Sequence, residues 1–162
     1  MLSAAHCFEE PKNCTRYRAG FEMHELGYGI SVPPHHISNH PNYTKLCGTE
    51  IPDFDFSILH FDFNHKYVDL NKKLIPACLP DDSLGGDFLA GQDLTISGWG
   101  APFHDSLRLH KATLPGANYS DCQTYNDEEN CTYITTNMMC AGDRLNRKVA
   151  DGIGDSGGSI QC

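Results

Sequence analysis

Gly154-Asp155-Ser156-Gly157-Gly158 sets a serine among glycines, a composition suited to nucleophilic chemistry. Glycine accepts backbone angles that other residues resist, so a tight turn there can hold the hydroxyl clear of the chain. The N–H groups of Gly154 and Ser156 can then converge on one point, as a developing oxyanion requires. The competing reading is a Gly/Ser surface loop without chemistry. A serine hydroxyl is a weak nucleophile unless a base takes its proton, which directs attention to the nine histidines. His6 stands out, because it follows Ser3-Ala4-Ala5, whose small side chains allow close packing, and precedes Cys7, which can pin the local backbone. The other eight read as surface or satisfied core histidines. His35, His36 and His40 cluster in a Pro-rich stretch, but no Cys or carboxylate stands at ligand spacing, so a zinc reading is set aside.

A base of this kind works best with a buried carboxylate that fixes its tautomer and stabilises the imidazolium. Asp55 heads the apolar run Phe56-Ser57-Ile58-Leu59, where a carboxylate can point inward. Asp53 has the same strand parity and competes with it. Both also read as ordinary turn aspartates after Pro52.

The elements that must hold these groups are mostly strands. The runs 26–32, 54–63, 93–97 and 106–114 carry β-branched or aromatic residues with partial alternation. Turn chemistry separates them at Pro33-Pro34, His40-Pro41-Asn42, Pro80-Asp81-Asp82, Gly85-Gly86 and Pro115-Gly116. One short helix is expected over 119–126, capped by Ser120 or Asp121. Many short strands with close turns predict an all-β sandwich or barrel, and the best linker candidate is 72–91.

Length and composition fit one globular domain: 162 residues, 40% apolar and 20% charged. A formal charge of -9 with scattered basic residues argues against a nucleic-acid surface. No apolar run reaches membrane-spanning length. Eight cysteines without a CxxC pair fit structural disulfides in an oxidising compartment, hence a secreted, extracellular protein. Sequons at Asn13, Asn42, Asn118 and Asn130 lean toward a glycoprotein. The chain begins without a signal peptide and stops soon after its glycine-rich turn, so a partial chain is expected.

Taken in order, these motifs resemble the trypsin/chymotrypsin family of serine proteases. Ser3 to Cys7 is similar to the family's Thr/Ser-Ala-Ala-His-Cys, and Asp55 to Leu59 to its Asp-Ile/Phe-Ala/Ser/Thr-Leu-Leu. Gly154 to Gly158 is similar to its Gly-Asp-Ser-Gly-Gly. Gly98-Trp99-Gly100 and Met139-Cys140-Ala141-Gly142 match two further family motifs. The resemblance favours Asp55 over Asp53. It implies two antiparallel β-barrels, here incomplete at both termini: 1–71 from the first, 72–91 between them and 92–162 from the second. It also implies a catalytic His6, Asp55 and Ser156, an oxyanion hole from Gly154 and Ser156, and protein or peptide substrates. Asp155 would receive a new N-terminal ammonium after zymogen cleavage. Cys122 and Cys140 would form a disulfide, and Cys78 resembles a cysteine that tethers a propeptide. Neither metal nor organic cofactor is required.

The chain departs from the family at three positions. Gly152 and Leu94 stand where cysteines are usual, and Ser159 replaces a proline. Cys162 thereby loses its usual partner, and Cys14, Cys47 and Cys131 have no common counterpart, leaving a Cys14–Cys47 bridge open. At the base of the primary pocket, direct count gives Ala150 and an apolar or permissive preference. A one-residue deletion at Gly152-Ile153 would instead bring Asp151 there, which would attract Lys or Arg. The leading expectation is a serine endopeptidase whose 162-residue portion alone does not cleave. The alternatives are an inactive homologue acting as a secreted binding module and a truncated, non-functional fragment.

Overall fold

The computed structural model describes residues 1–9, 13–46, 51–62, 75–81, 87–100, 107–123, 133–142 and 154–162. Strands dominate these residues, and every strand pairing is antiparallel. β1 (Leu2–Ser3) leads into a 3₁₀ turn (Ala5–Phe8), and a second such turn (Cys14–Arg16) precedes β2 (Ala19–Glu25) and β3 (Tyr28–Val32). Next come β4 (His36–Asn39), β5 (Thr44–Lys45), β6 (Pro52–Asp53) and β7 (Ser57–His60). β8 (Asp93–Gly98), β9 (His110–Ala117), α1 (Tyr119–Cys122), β10 (Cys140–Ala141) and β11 (Ile160–Gln161) complete the order.

β7 lies between β1 and β4, and β2 pairs with β3 and β5 with β6. The later residues form one four-stranded sheet in the order β10-β9-β8-β11. The core of the first sheet is a cluster of Phe8, Ile37 and Leu59, with Cys7, Cys14, Tyr17 and Phe61 packed around it. The Phe8 and Tyr17 rings meet edge-on at 4.9 Å. Alternation on β7 explains the burial: Ser57 and Leu59 point inward while Ile58 and His60 are exposed. Truncating Phe8 or Leu59 to alanine is worth about 2–5 kcal/mol at such a site. Leu94 and Leu114, paired across β8 and β9, are buried in the second sheet.

Three local expectations change. The run 54–63 does not form one strand. Phe54 adopts a left-handed φ of 50°, and the Phe56 N–H donates to Phe54 O at 2.8 Å, so the chain bends between β6 and β7. Pro115-Gly116 is not a turn but lies inside β9, opposite Asp93 and Ala141. The Leu89 carbonyl packs where a Cβ on Gly116 would stand, so tertiary contact overrides the turn propensity. The helix is capped by Asn118 rather than Ser120 or Asp121, and Asp87 Oδ1 accepts the Tyr119 N–H at 2.6 Å. Strands Ala19–Glu25 and His36–Asn39 carried too little alternation to be expected. Of the 72–91 stretch, residues 75–81 are exposed and outside any strand or helix, with Ile75 at 93% exposure.

Candidate active site

His6 sits in the 3₁₀ turn that follows β1. Ala5 beneath it is fully buried, and Phe8 two residues on enters the core, so the turn is pinned from below. Asn39 at the end of β4 donates to Phe8 O at 3.0 Å, and Ser57 Oγ donates to Asn39 Oδ1 at 2.9 Å. A chain of side chains thus links β7, β4 and the turn that carries His6.

The bend at Phe54 separates the two aspartates that sequence parity had made equivalent. Asp55 lies outside the β7 ladder, and both its oxygens reach His6. Oδ2 meets Nδ1 at 2.7 Å, and Oδ1 accepts the His6 backbone N–H at 2.8 Å. The side chains are 38% and 21% exposed for His6 and Asp55, so the pair is partly shielded while the ring keeps an open edge. This arrangement holds Nδ1 as a donor and leaves Nε2 to accept a proton.

Asp53 turns elsewhere. It is buried, and its Oδ1 accepts from the Phe54 N–H at 2.8 Å, Thr135 Oγ1 at 2.9 Å and Asn137 Nδ2 at 3.1 Å. Burial pushes its carboxyl up, but the hydrogen bonds from Asn137, Phe54 and Thr135 outweigh that and hold it below the ordinary carboxylate value. Sequence reasoning missed Thr135 and Asn137; the one available signal was their position just before the Met139-Cys140-Ala141-Gly142 motif.

The serine turn approaches from the far end of the chain. Gly158 N–H donates to Asp155 O at 3.0 Å, closing a turn over Ser156 and Gly157. Gly157 takes a φ of 82°, the left-handed value that a type II turn requires at its third residue. A Cβ there would strike Ser3 Oγ and lie 3.1 Å from Ala4 N and 3.5 Å from Cys7 Sγ. Only glycine lets this turn press onto the segment that carries His6. Cys7 Sγ, 3.7 Å from His6 Nε2 and 3.6 Å from Ser156 O, fills the join. Burial first, and then the Asp55 charge, push the Cys7 thiol up, so it stays protonated at neutral pH. Among the described residues, Ser156 Oγ makes no hydrogen bond to His6.

Asp155 packs against Gly98 and Gly100, and its Oδ1 accepts the Gly100 N–H at 2.8 Å. The Met1 ammonium donates to Leu59 O at 2.9 Å. Ser156 is exposed on a cavity of about 390 Å³. Its described lining includes Ser97, Lys111, Met139, Ala141 and Ile160. Ala150 and Asp151 lie outside the described residues, as do Cys47, Cys131 and the sequon at Asn130. Cys122 and Cys140 are joined by a disulfide with Cα atoms 6.3 Å apart, while Cys78 and Cys162 are exposed and unbridged. Leu94, at the position where Cys162 would find its usual partner, is fully buried. Among the described residues no helix is long and apolar enough to cross a membrane.

The chain is 29% identical to vitamin K-dependent protein C of Oryctolagus cuniculus, over 99% of its own length and 35% of that protein. It is 28% identical to a trypsin of Phaedon cochleariae, over 88% of its length and 52% of that enzyme. Transmembrane protease serine 11E of Mus musculus is 29% identical over 99% of the chain and 36% of that protein. The chain therefore spans about a third to a half of the relatives it matches. The Trypsin family model matches residues 1–162, and the chain belongs to that family, with its all-β fold.

Proposed function

We propose that this chain carries the reacting groups of a serine endopeptidase, with Ser156 as nucleophile, His6 as general base and acid, and Asp55 as the orienting carboxylate. Ser156 Oγ attacks the scissile carbonyl as His6 Nε2 takes its proton, giving a tetrahedral adduct. Asp55 Oδ2 holds the Nδ1 proton and stabilises the imidazolium formed. The N–H groups of Gly154 and Ser156 donate to the oxyanion. His6 then protonates the leaving amine, and water repeats the sequence on the acyl-enzyme. One observation carries the reading: the doubly hydrogen-bonded His6–Asp55 pair meets, at Gly157, a serine turn from 150 positions along the chain.

Several finer assignments accompany it. Asp155 is the acceptor for an ammonium released by zymogen cleavage, which would displace the Gly100 N–H now on its Oδ1. The primary pocket has Ala150 or Asp151 at its base. Exposed Cys78 is suited to tether a propeptide. The Cys122–Cys140 bridge and the exposed sequon residues Asn13, Asn42 and Asn118 support a secreted glycoprotein, and the family supports protein substrates. Two barrels, one before and one after 72–91, would form the cleft.

A second reading, a binding homologue without turnover, draws on the absence of a Ser156–His6 hydrogen bond among the described residues. Such bonds often tighten only when substrate arrives, so the enzyme reading leads. A fluorophosphonate probe separates the two in the full-length product after activation. Labelling of Ser156 that vanishes in Ser156→Ala supports the enzyme. Labelling that survives the substitution would overturn the assignment of Ser156 as nucleophile, and no labelling at all favours the binding module.

A further inference from the structure

Asp53 is a buried carboxylate that the proposed chemistry does not use. Among the described residues it forms no ion pair, and its one engaged oxygen collects three donors. Two of those donors, Thr135 and Asn137, are 82 and 84 positions away. They belong to the segment that runs directly into Met139 and Ala141, both of which line the cavity beside Ser156. That segment is held again at Cys140, by the disulfide to Cys122 and by the pairing of β10 with β9. Between these anchors lie only Met138 and Met139. The Met138 N–H donates to Thr135 O at 3.1 Å, and Tyr119 OH donates to Ile134 O at 3.3 Å, so the segment has little slack. At its other end, Asp53 is two residues from Asp55 and holds the Phe54 N–H at the bend that separates them.

We propose that Asp53 is a positioning residue. Its carboxylate fastens the Thr135–Asn137 segment, and through it the Met139 and Ala141 wall of the Ser156 cavity, to the chain that carries Asp55. An acceptor-only group suits the place, since a backbone N–H, a hydroxyl and an amide NH₂ all converge on one oxygen. Hydrogen bonds to an ionised acceptor are also roughly twice as strong as neutral ones. The tie lets one aspartate of the bend orient the base while its neighbour sets the shape of the substrate cavity.

The proposal rests on the endopeptidase reading for its effect on substrate, and its test separates the two. In the full-length product, Thr135→Val with Asn137→Ala removes the tie but leaves Asp53 on Phe54. Cleavage of a panel of fluorogenic peptide amides should show KM raised about tenfold with kcat within about twofold, because the His6–Asp55 pair is untouched. Amide hydrogen exchange should quicken over 133–142 in the same variant. Asp53→Ala should quicken exchange there to the same extent, and combining all three changes should add nothing, since partners in one network are not additive. Unchanged exchange over 133–142, additive effects, or a lost stability with KM unmoved would each overturn the proposal. If the unaltered protein cleaves nothing, the endopeptidase reading fails, and the exchange measurements alone decide whether the tie exists. Should Asp53→Ala fail to fold, the Thr135/Asn137 variant carries the same decision.

Discussion

The two sides of the proposed site are built differently. His6 and Asp55 stand on the first sheet, over the Phe8–Ile37–Leu59 core, and two hydrogen bonds of 2.7 and 2.8 Å join them. Among the described residues, the Ser156 turn is not part of that buried cluster. The contacts on it among those residues include a turn hydrogen bond, Asp155 on the Gly100 N–H, Cys7 Sγ on Ser156 O, and the close approach of Gly157 to Ser3 and Ala4. An acid–base pair must keep one orientation through both proton transfers, which rewards packing and paired hydrogen bonds. A nucleophile must stay accessible to a bulky substrate, which limits what can pack around it. The exposed turn accordingly depends on glycine geometry rather than burial.

That contrast makes the serine side the place where single changes should be felt most. Ser156→Ala removes the nucleophile, and kcat on peptide amides should fall about 10⁶-fold, as for the equivalent loss in another serine protease. The melting temperature should hardly move, because among the described residues the hydroxyl holds no hydrogen bond. Residual turnover within a hundredfold of the unaltered protein would break the assignment.

On the packed side, Asp55→Asn should lower kcat about 10⁴-fold by favouring the wrong tautomer of His6. Asp53→Asn should leave kcat within about tenfold, since its hydrogen bonds lead away from the histidine. Equal losses from the two substitutions would show that the bend at Phe54 does not separate their roles.

Gly157→Ala tests the join between the two sides. The added methyl meets Ser3 Oγ, at a φ of 82° that alanine resists. A displacement near 1 Å should cut kcat about 10²-fold. Fluorophosphonate labelling should slow in parallel. Full activity in this variant would mean that the turn need not touch the His6 segment.

The smallest effect concerns acid. The Asp53 carboxyl is held below its ordinary value, so its contribution to stability is complete above the unfolded value of about 3.9 and is lost as pH falls through the lower folded value. Urea unfolding of the protein and of Asp53→Asn should therefore converge as pH drops from 5 toward 3. A stability gap that stays constant across that window would contradict the assigned hydrogen bonds.

The chemistry proposed for this chain is legible in its order of residues. A serine among glycines, a histidine behind small residues and a carboxylate at the head of an apolar run each declare themselves within a few positions. The strand at Asp93–Gly98 is likewise visible in its local pattern, and the family resemblance rests on motifs of that same short range. What the sequence left open needed distant contacts. Parity made Asp53 and Asp55 equal and only the resemblance chose Asp55; the physical separation comes from a left-handed Phe54, whose ring stacks on His40 at 5.0 Å. Pro115-Gly116 reads as a turn, and becomes strand only because Leu89 and Ala141 arrive beside it. Neighbouring residues set propensity and the face a side chain prefers. Which carboxylate meets the imidazole, and which holds the wall of the cavity, depends on partners 49 and more than 80 positions away, and those contacts exist only once the sheets have packed.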